Sequence, residues 1–368
     1  MKKKVLFLLE AFDKGGIEKV TLDIVNNLSP EKYDITVQTF WYGGYCQSLV
    51  NDNVKVIPFF AKKYIPGVIR LIQYLTPKML YKFFVHGKYD IEIAASDGGA
   101  AKVISGSSNK KAKKICWVHM DVINRGSKLP EFDNAETAKN IYEKFDLIVP
   151  VSQACADGFC EKFGNEYPML VKRNPLPVKE ILEKSKAEVK IKETEAIKFA
   201  CVGRLVEQKG FDRLIEACRR LVEEGLNNFY INILGSGPLE NELSSLINKY
   251  KLNDNINLYG YCDNPYAILY NSDAFLLSSR DEAFSLVVGE SLIVGTPIIA
   301  TDCCGVKEWL GNNEFGLIVE NSENGIYEGM KTILENPEIL KEYKSRIPEA
   351  QKNISFEKAL NDFEEILR

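Results

Sequence analysis

The sequence is short of metal-binding and cross-linking residues. It holds two histidines, His86 and His119, and nine cysteines scattered from Cys46 to Cys304 with no C-x-x-C pair. A zinc site is poorly supplied, the adjacent Cys303 and Cys304 read as small buried residues, and a reducing cytoplasm fits this cysteine usage best. The fingerprint G-x-G-x-x-G does not occur, which argues against an NAD-dependent oxidoreductase. No apolar run approaches the roughly 20 residues that a membrane-spanning helix requires. Three lysines open the chain, but a short apolar run at 5–9 follows without a small-residue cleavage site, so the start reads as a strand and not as a signal peptide.

What is present is the composition of a soluble globular protein: 368 residues, 45% hydrophobic and 27% charged. That length suggests two domains. The formal net charge of -4 hides an asymmetry, because residues 1–185 carry 27 Lys+Arg against 21 Asp+Glu and residues 186–368 carry 20 against 30. Nucleic acid is a poor partner for so acidic a chain. Within the basic half, residues 53–89 contain no acid but include Lys55, Lys62, Lys63, Arg70, Lys78, Lys82 and Lys88. Val68, Leu71, Ile72, Leu75, Met79, Leu80, Phe83 and Phe84 recur there at roughly helical spacing. Two readings stay open: basic amphipathic helices on an anionic membrane surface, or a core-packing helix pair whose lysines are solvated.

Strand-length apolar runs alternate with helix-length periodic segments almost throughout, the pattern of parallel α/β sheets covered on both faces. Strands are expected at 4–9, 34–40, 54–58, 91–96, 114–119 and 147–151, with a helix at 18–28. Prolines around Arg173-Asn174-Pro175-Leu176-Pro177 and the charged stretch 179–198 mark a boundary. A second series follows, with strands at 197–202, 229–234, 256–259, 274–278 and 297–300 and helices at 211–224 and 239–249. A last helix is expected at 355–367. Ligands of doubly wound sheets bind beyond the carboxyl ends of the strands, so the strand-to-helix loops are where chemistry is sought.

Four such loops stand out. Gly15-Gly16 precedes the first helix, where bare amides can approach an anion. Gly203-Arg204-Leu205 and Lys209-Gly210 put two cations on one loop of an acidic half; their bland alternative is surface pairing with Glu207 or Asp212. Gly235-Ser236-Gly237-Pro238 is a tight turn into a helix. In Ser278 to Glu290, Glu282 falls on a loop and Glu290 about one turn into the next helix, flanked by Val287, Val288, Leu292, Ile293 and Val294. A carboxylate amid so much apolar sequence is unlike a solvated surface charge.

This ordered set resembles the retaining glycosyltransferases of family 4. It runs from Gly15-Gly16-Ile17-Glu18 through Val151-Ser152, Arg173-Asn174-Pro175, Gly203-Arg204-Leu205, Lys209-Gly210 and Gly235-Ser236-Gly237-Pro238 to the E-x7-E pair Glu282 and Glu290. Gly295-Thr296-Pro297 and Gly305-Val306-Lys307-Glu308 complete it. The resemblance implies the GT-B fold, α/β with two Rossmann-like doubly wound domains facing each other across a cleft. The expected division is 1–175 for the acceptor and 176–352 for the donor, with the final helix, 353–368, packing back on the first domain.

By the same resemblance, Arg204 and Lys209 bind the donor diphosphate and neutralise charge on the leaving group. Glu290 holds ribose, Glu282 contacts sugar hydroxyls, and the amides of Phe284, Ser285 and Leu286 lie near sugar and phosphate. Gly15 and Gly16 leave room for the diphosphate, and Tyr261 borders the base. His119, at a strand end, matches an active-site histidine; a lone structural histidine is its alternative. Asp97 and Asp121, on neighbouring strand ends, are candidates for the acceptor. The loop Glu282-Ala283-Phe284-Ser285 departs from the family's glycine-containing form, as does Cys303-Cys304-Gly305, which leaves the sugar open. No D-x-D occurs, so catalysis without a metal or other cofactor is expected, with helix amides and the two cations in the metal's place. The expected function is transfer of a sugar, from a UDP-sugar, to a glycan or lipid-linked acceptor in cell-surface polysaccharide synthesis, in the cytoplasm or on the membrane's inner face. A nucleotide-sugar epimerase on the same fold and a non-catalytic nucleotide-sugar binder are the alternatives.

Overall fold

The computed structural model describes residues 1–60, 74–123 and 135–368. The chain divides into two compact units, Met1–Pro175 with Phe356–Arg368, and Leu176–Ser355. Each is built on a six-stranded parallel sheet. The first comprises β1 (Lys3–Leu9), β2 (Tyr33–Trp41), β3 (Lys55–Phe60), β4 (Ile91–Ala94), β5 (Lys113–Val118) and β6 (Leu147–Pro150). The second comprises β7 (Ile197–Val202), β8 (Phe229–Leu234), β9 (Ile256–Gly260), β10 (Ala274–Leu277), β11 (Ile298–Thr301) and β12 (Leu317–Val319).

The orders are β3-β2-β1-β4-β5-β6 and β12-β11-β10-β7-β8-β9. Counted from its own first strand, each unit therefore has the same doubly wound order. The chain reverses direction across the sheet between β1 and β4 and again between β7 and β10. At such a switch point the loops on the carboxyl ends of the two strands diverge to opposite faces and leave a crevice between them.

Strand alternation explains the cores. In the second unit Phe199, Cys201, Ala274 and Leu276 enter one cluster with Leu214, Cys218 and Met330. Ala200, Phe275 and Leu277 enter the other, with Val288, Leu292 and Ile181. Successive side chains of a strand point to opposite faces, so a strand buried on both must be apolar almost continuously. The charged stretch after the proline boundary is helical over Val178–Ser185 and contributes the fully buried Ile181 to this core. β12 was not expected. It is three residues long, too short to display a period, and it lies beside β11 where Gly316 has no side chain: a Cβ there would be 2.9 Å from the Ile298 carbonyl oxygen.

The terminal helix Phe356–Ile366 belongs to the first unit, with Phe363 against Phe7 and Trp117 at ring separations of 6.2 and 4.8 Å. Of the basic segment, 61–73 lies outside the described residues, and with it Lys62, Lys63, Val68, Arg70, Leu71 and Ile72. The helix Pro77–Phe84 is capped by Thr76 and begins with proline, whose missing N–H costs nothing at that position. It buries Leu80, Tyr81 and Phe84, and exposes Met79 and Phe83 beside Lys78 and Lys82. Among the described residues no helix is long and apolar enough to cross a membrane.

Candidate active site

The second unit's switch point carries the densest cluster of the expected residues. After β7 the chain passes Gly203 and Arg204 to the tight turn Glu207–Lys209, and Gly210 then opens the helix Phe211–Glu223. Gly210 adopts φ +64°, and a Cβ there would stand 2.2 Å from the Ser278 carbonyl oxygen. Only glycine tolerates both the left-handed backbone and that approach. The loop after β10 is thereby seated directly on the Lys209 turn.

Across this contact Lys209 Nζ donates to Glu282 Oε1 at 2.6 Å, and Ser279 Oγ donates to the same oxygen at 2.7 Å. The ion pair is largely withdrawn from water, its side chains 18% and 9% exposed. The lysine stem lies over Gly203, where a Cβ would meet it at 3.2 Å. Lys209 and Glu282, expected to serve different parts of a ligand, are thus bonded to each other.

A second set of contacts holds the two loops together. Arg280 donates to both Asp212 carboxylate oxygens, at 2.8 and 2.6 Å, and to the Glu207 carbonyl at 2.7 Å. Gln208 reaches the Asp281 carboxylate at 2.8 Å, the Arg280 amide donates to the Gln208 carbonyl, and Ser278 Oγ donates to the Lys209 carbonyl. Arg213 bridges Ser278 and Asn321, and Asn321 returns a bond to the Arg280 carbonyl. The guanidinium of Arg280 holds the Asp212 carboxyl below its ordinary range against the opposing effect of burial. Asp212 thus pairs with Arg280 and not with either expected cation. Neither Ser279, Arg280 nor Asn321 was singled out from the sequence, and Asp212 only as a surface partner of the two cations; the pairing of Arg280 with Asp212 spans 68 residues and that of Asn321 with Arg213 spans 108, and no local pattern reports either.

Neighbouring loops complete the surroundings. The Gly235-Ser236-Gly237-Pro238 turn lies against Gly203–Leu205: Leu205 donates to the Ser236 carbonyl, and a Cβ on Gly235 would be 1.9 Å from the Gly203 oxygen. Arg204 is exposed, and its side chain makes no hydrogen bond or ion pair among the described residues. Gly305, at φ +76°, packs its backbone on Ala283 and Phe284, and buried Phe284 meets Trp309 at 4.6 Å. Ser285, also buried, precedes the helix Leu286–Val294 without a side-chain cap, leaving that helix's first amides unserved by it. Leu286 is half-buried at its start. Glu290 lies on this helix, 5% exposed, and accepts from Tyr266 Oη at 3.2 Å. Tyr261 follows β9 and is 46% exposed. The thiols of Cys303 and Cys304 reach the carbonyls of Ser279 and Ala283, and burial pushes Cys303 up to about 12. Cys303 is an inert loop brace at neutral pH.

The remaining expected residues belong to the first unit. Gly15 caps the helix Gly16–Asn27, and Glu18 folds back so closely that a Cβ on Gly15 would be 2.1 Å from its carboxylate. His119 follows β5, its amide donating to buried Asp97 at 3.2 Å and its ring against Trp117 at 4.4 Å. Its Nε2 is buried with no hydrogen-bond partner among the described residues, and burial lowers the imidazole to about 3, so the ring is neutral. Asp121 is buried and accepts from the Ile123 amide.

Comparison with known proteins agrees with this architecture. Residues 183–353 match the family of glycosyl transferases group 1. The chain is 32% identical over 209 residues to the N-acetylgalactosamine-N,N'-diacetylbacillosaminyl-diphospho-undecaprenol 4-alpha-N-acetylgalactosaminyltransferase of Campylobacter jejuni; that match covers 56% of this chain and about half, 55%, of the relative. An uncharacterized glycosyltransferase of Haemophilus influenzae is 25% identical over 372 residues, covering 100% of both chains. The lipopolysaccharide core biosynthesis glycosyltransferase LpsE of Rhizobium meliloti is 33% identical over 119 residues, 32% of this chain and 34% of that one. Among solved structures, Anabaena HepE in complex with UDP-glucose superposes with a TM-score of 0.78 over 99% of both chains at 17% identity. The fold is GT-B, and the family match and the relatives support a glycosyltransferase.

Proposed function

We propose that the protein is a retaining, family 4 glycosyltransferase that moves a hexosyl group from a UDP-sugar to a glycan or lipid-linked acceptor in cell-surface polysaccharide synthesis, without a metal or other cofactor. The observation that carries this reading is the contact of Lys209 with Glu282 at the β7/β10 switch point. An ammonium has three donors, and Glu282 uses one, so two remain for a diphosphate. Arg204 adds a planar fork suited to phosphate oxygens.

In this reading the bond between the anomeric carbon and the diphosphate oxygen breaks, and its electron pair leaves with the diphosphate. Lys209, Arg204 and the first amides of Leu286–Val294 stabilise the charge that develops. The acceptor oxygen bonds to the anomeric carbon, and its proton passes to the departing diphosphate oxygen. Glu282 aligns the sugar through its hydroxyls, Glu290 takes the ribose, and Tyr261 borders the base. The first unit takes the acceptor, with neutral His119 as a hydrogen-bonding group and not a proton carrier. The undecaprenol-linked substrate in the Campylobacter relative's name supports a lipid-linked acceptor, and exposed Met79 and Phe83 between lysines support work at the inner membrane face.

The test is transfer by purified protein from a panel of UDP-sugars to undecaprenyl-diphosphate glycans. Lys209→Ala and Glu282→Ala are each expected to abolish transfer while circular dichroism stays native. Full activity in either variant refutes the assignment.

A further inference from the structure

Glu282 is held asymmetrically. Lys209 and Ser279 both donate to Oε1, whereas Oε2 has no hydrogen-bond partner among the described residues and keeps access to solvent. A carboxylate oxygen in that state accepts from a ligand hydroxyl and repels phosphate. Which way it faces depends on what fixes Oε1.

The two partners of Oε1 differ in kind. Lys209 reaches it on a flexible four-carbon stem and is the natural partner of an incoming diphosphate. Ser279 is 1% exposed, and its carbonyl is clamped by Thr301 Oγ1 at 2.7 Å and Cys303 Sγ at 3.0 Å, both at the end of β11. The backbone that carries the serine hydroxyl is therefore anchored at the end of β11, by bonds that do not involve the Lys209 ammonium.

We propose that Ser279 is a positioning residue that sets donor-sugar selectivity: it pins Oε1 of Glu282 so that Oε2 reads one hydroxyl of the transferred sugar. The proposal rests on the donor-site reading above. It implies that Ser279 acts on the sugar end of the donor and leaves nucleotide recognition alone. It also implies that the effect runs through a single ligand hydroxyl, which makes it separable from general loosening of the loop.

The experiment is a cycle of enzyme and donor changes. Binding of UDP is measured by calorimetry, and kcat/KM is measured for UDP-glucose, UDP-galactose and UDP-N-acetylglucosamine, then for the 2-, 3- and 4-deoxy forms of the best donor. In Ser279→Ala, UDP affinity is expected to stay within about twofold. The kcat/KM for the best donor is expected to fall about tenfold or more, the scale of one hydrogen bond to a charged group. On the one deoxy donor that lacks the hydroxyl read by Oε2, the same substitution is expected to change little, because the contact it serves is already gone. Ser279→Thr, which keeps the hydroxyl, is expected to restore discrimination. Should the alanine variant not fold, Ser279→Cys, nearly isosteric with a weak donor, takes its place in the cycle. Equal losses on every donor, or no loss on any, overturn the proposal while leaving the glycosyltransferase reading intact. Failure of the native protein to bind UDP or any UDP-sugar overturns both.

Discussion

Replacing Arg280 by alanine separates stability from positioning at the candidate site. The substitution removes three side-chain hydrogen bonds, two to Asp212 and one to the Glu207 carbonyl. The side chains of the ion pair are 32% and 35% exposed, so solvent screens it, and its own contribution is about 0–1 kcal/mol. The bond to the carbonyl adds about 1 kcal/mol. A loss of about 1–2 kcal/mol lowers the melting temperature of a unit this size by roughly 2–8 °C, which leaves it folded at 25 °C. The bonds from Gln208 to Asp281, from Ser278 to Lys209 and from Lys209 to Glu282 remain, so the loops stay in contact but lose one of the ties between them. A misplacement of about 1 Å between reacting groups costs on the order of 100-fold in rate. Initial rates of sugar transfer, measured beside thermal unfolding, are therefore expected to fall far more than the folded fraction, with the loss in kcat and not in donor KM. Arg280→Lys, which keeps the charge but not the fork, should fall between. Native kcat accompanied by the expected drop in melting temperature refutes the positioning argument.

Two further outcomes follow from the geometry. Gly210→Ala places a Cβ against the Ser278 oxygen in a left-handed backbone; strain of about 1–3 kcal/mol, with separation of the two loops, should lower the melting temperature and the transfer rate together, and a variant matching the native protein in both rejects the seating described. His119 has its folded pKa depressed to about 3 from 6.5. The unfolded chain therefore binds the extra proton first, so the stability tied to this residue is complete above about pH 6.5 and falls progressively as pH drops toward 3. Denaturant titrations of the native protein and His119→Asn should diverge only in that window, and no step in the transfer rate between pH 7 and 8 should depend on His119; a His119-dependent step there shows the imidazole to be solvated.

Much of this protein was legible before folding was considered. The alternation of strand-length apolar runs with helix-length periods announces parallel α/β layers, because burial on both faces of a sheet dictates continuous apolar strands. The spacing of Glu282 and Glu290 places one on a loop and one inside a helix, since that is a local matter of where β10 ends and the helix Leu286–Val294 begins. Glycines in the turns after β7, β8 and β11 also show themselves, because the close backbone approaches they permit leave no room for a side chain. The charged stretch at the proline boundary misleads by composition: Ile181 and Ser185 are buried and Val178 packs on the same core, which docks its helix.

Tertiary structure alone decided the rest. Strand order puts β7 beside β10 and so brings Lys209 onto Glu282 across 73 residues of chain. The same adjacency gives Asp212 to Arg280 and turns a serine in an unremarked position into the anchor of a carboxylate. β12 exists because Gly316 lets three residues lie against β11, and Glu18 covers Gly15 because its side chain folds back over the turn. Periodicity and turn chemistry act over a few residues and can be read from them. The choice of partner depends on which strands become neighbours, a property of the packed chain as a whole.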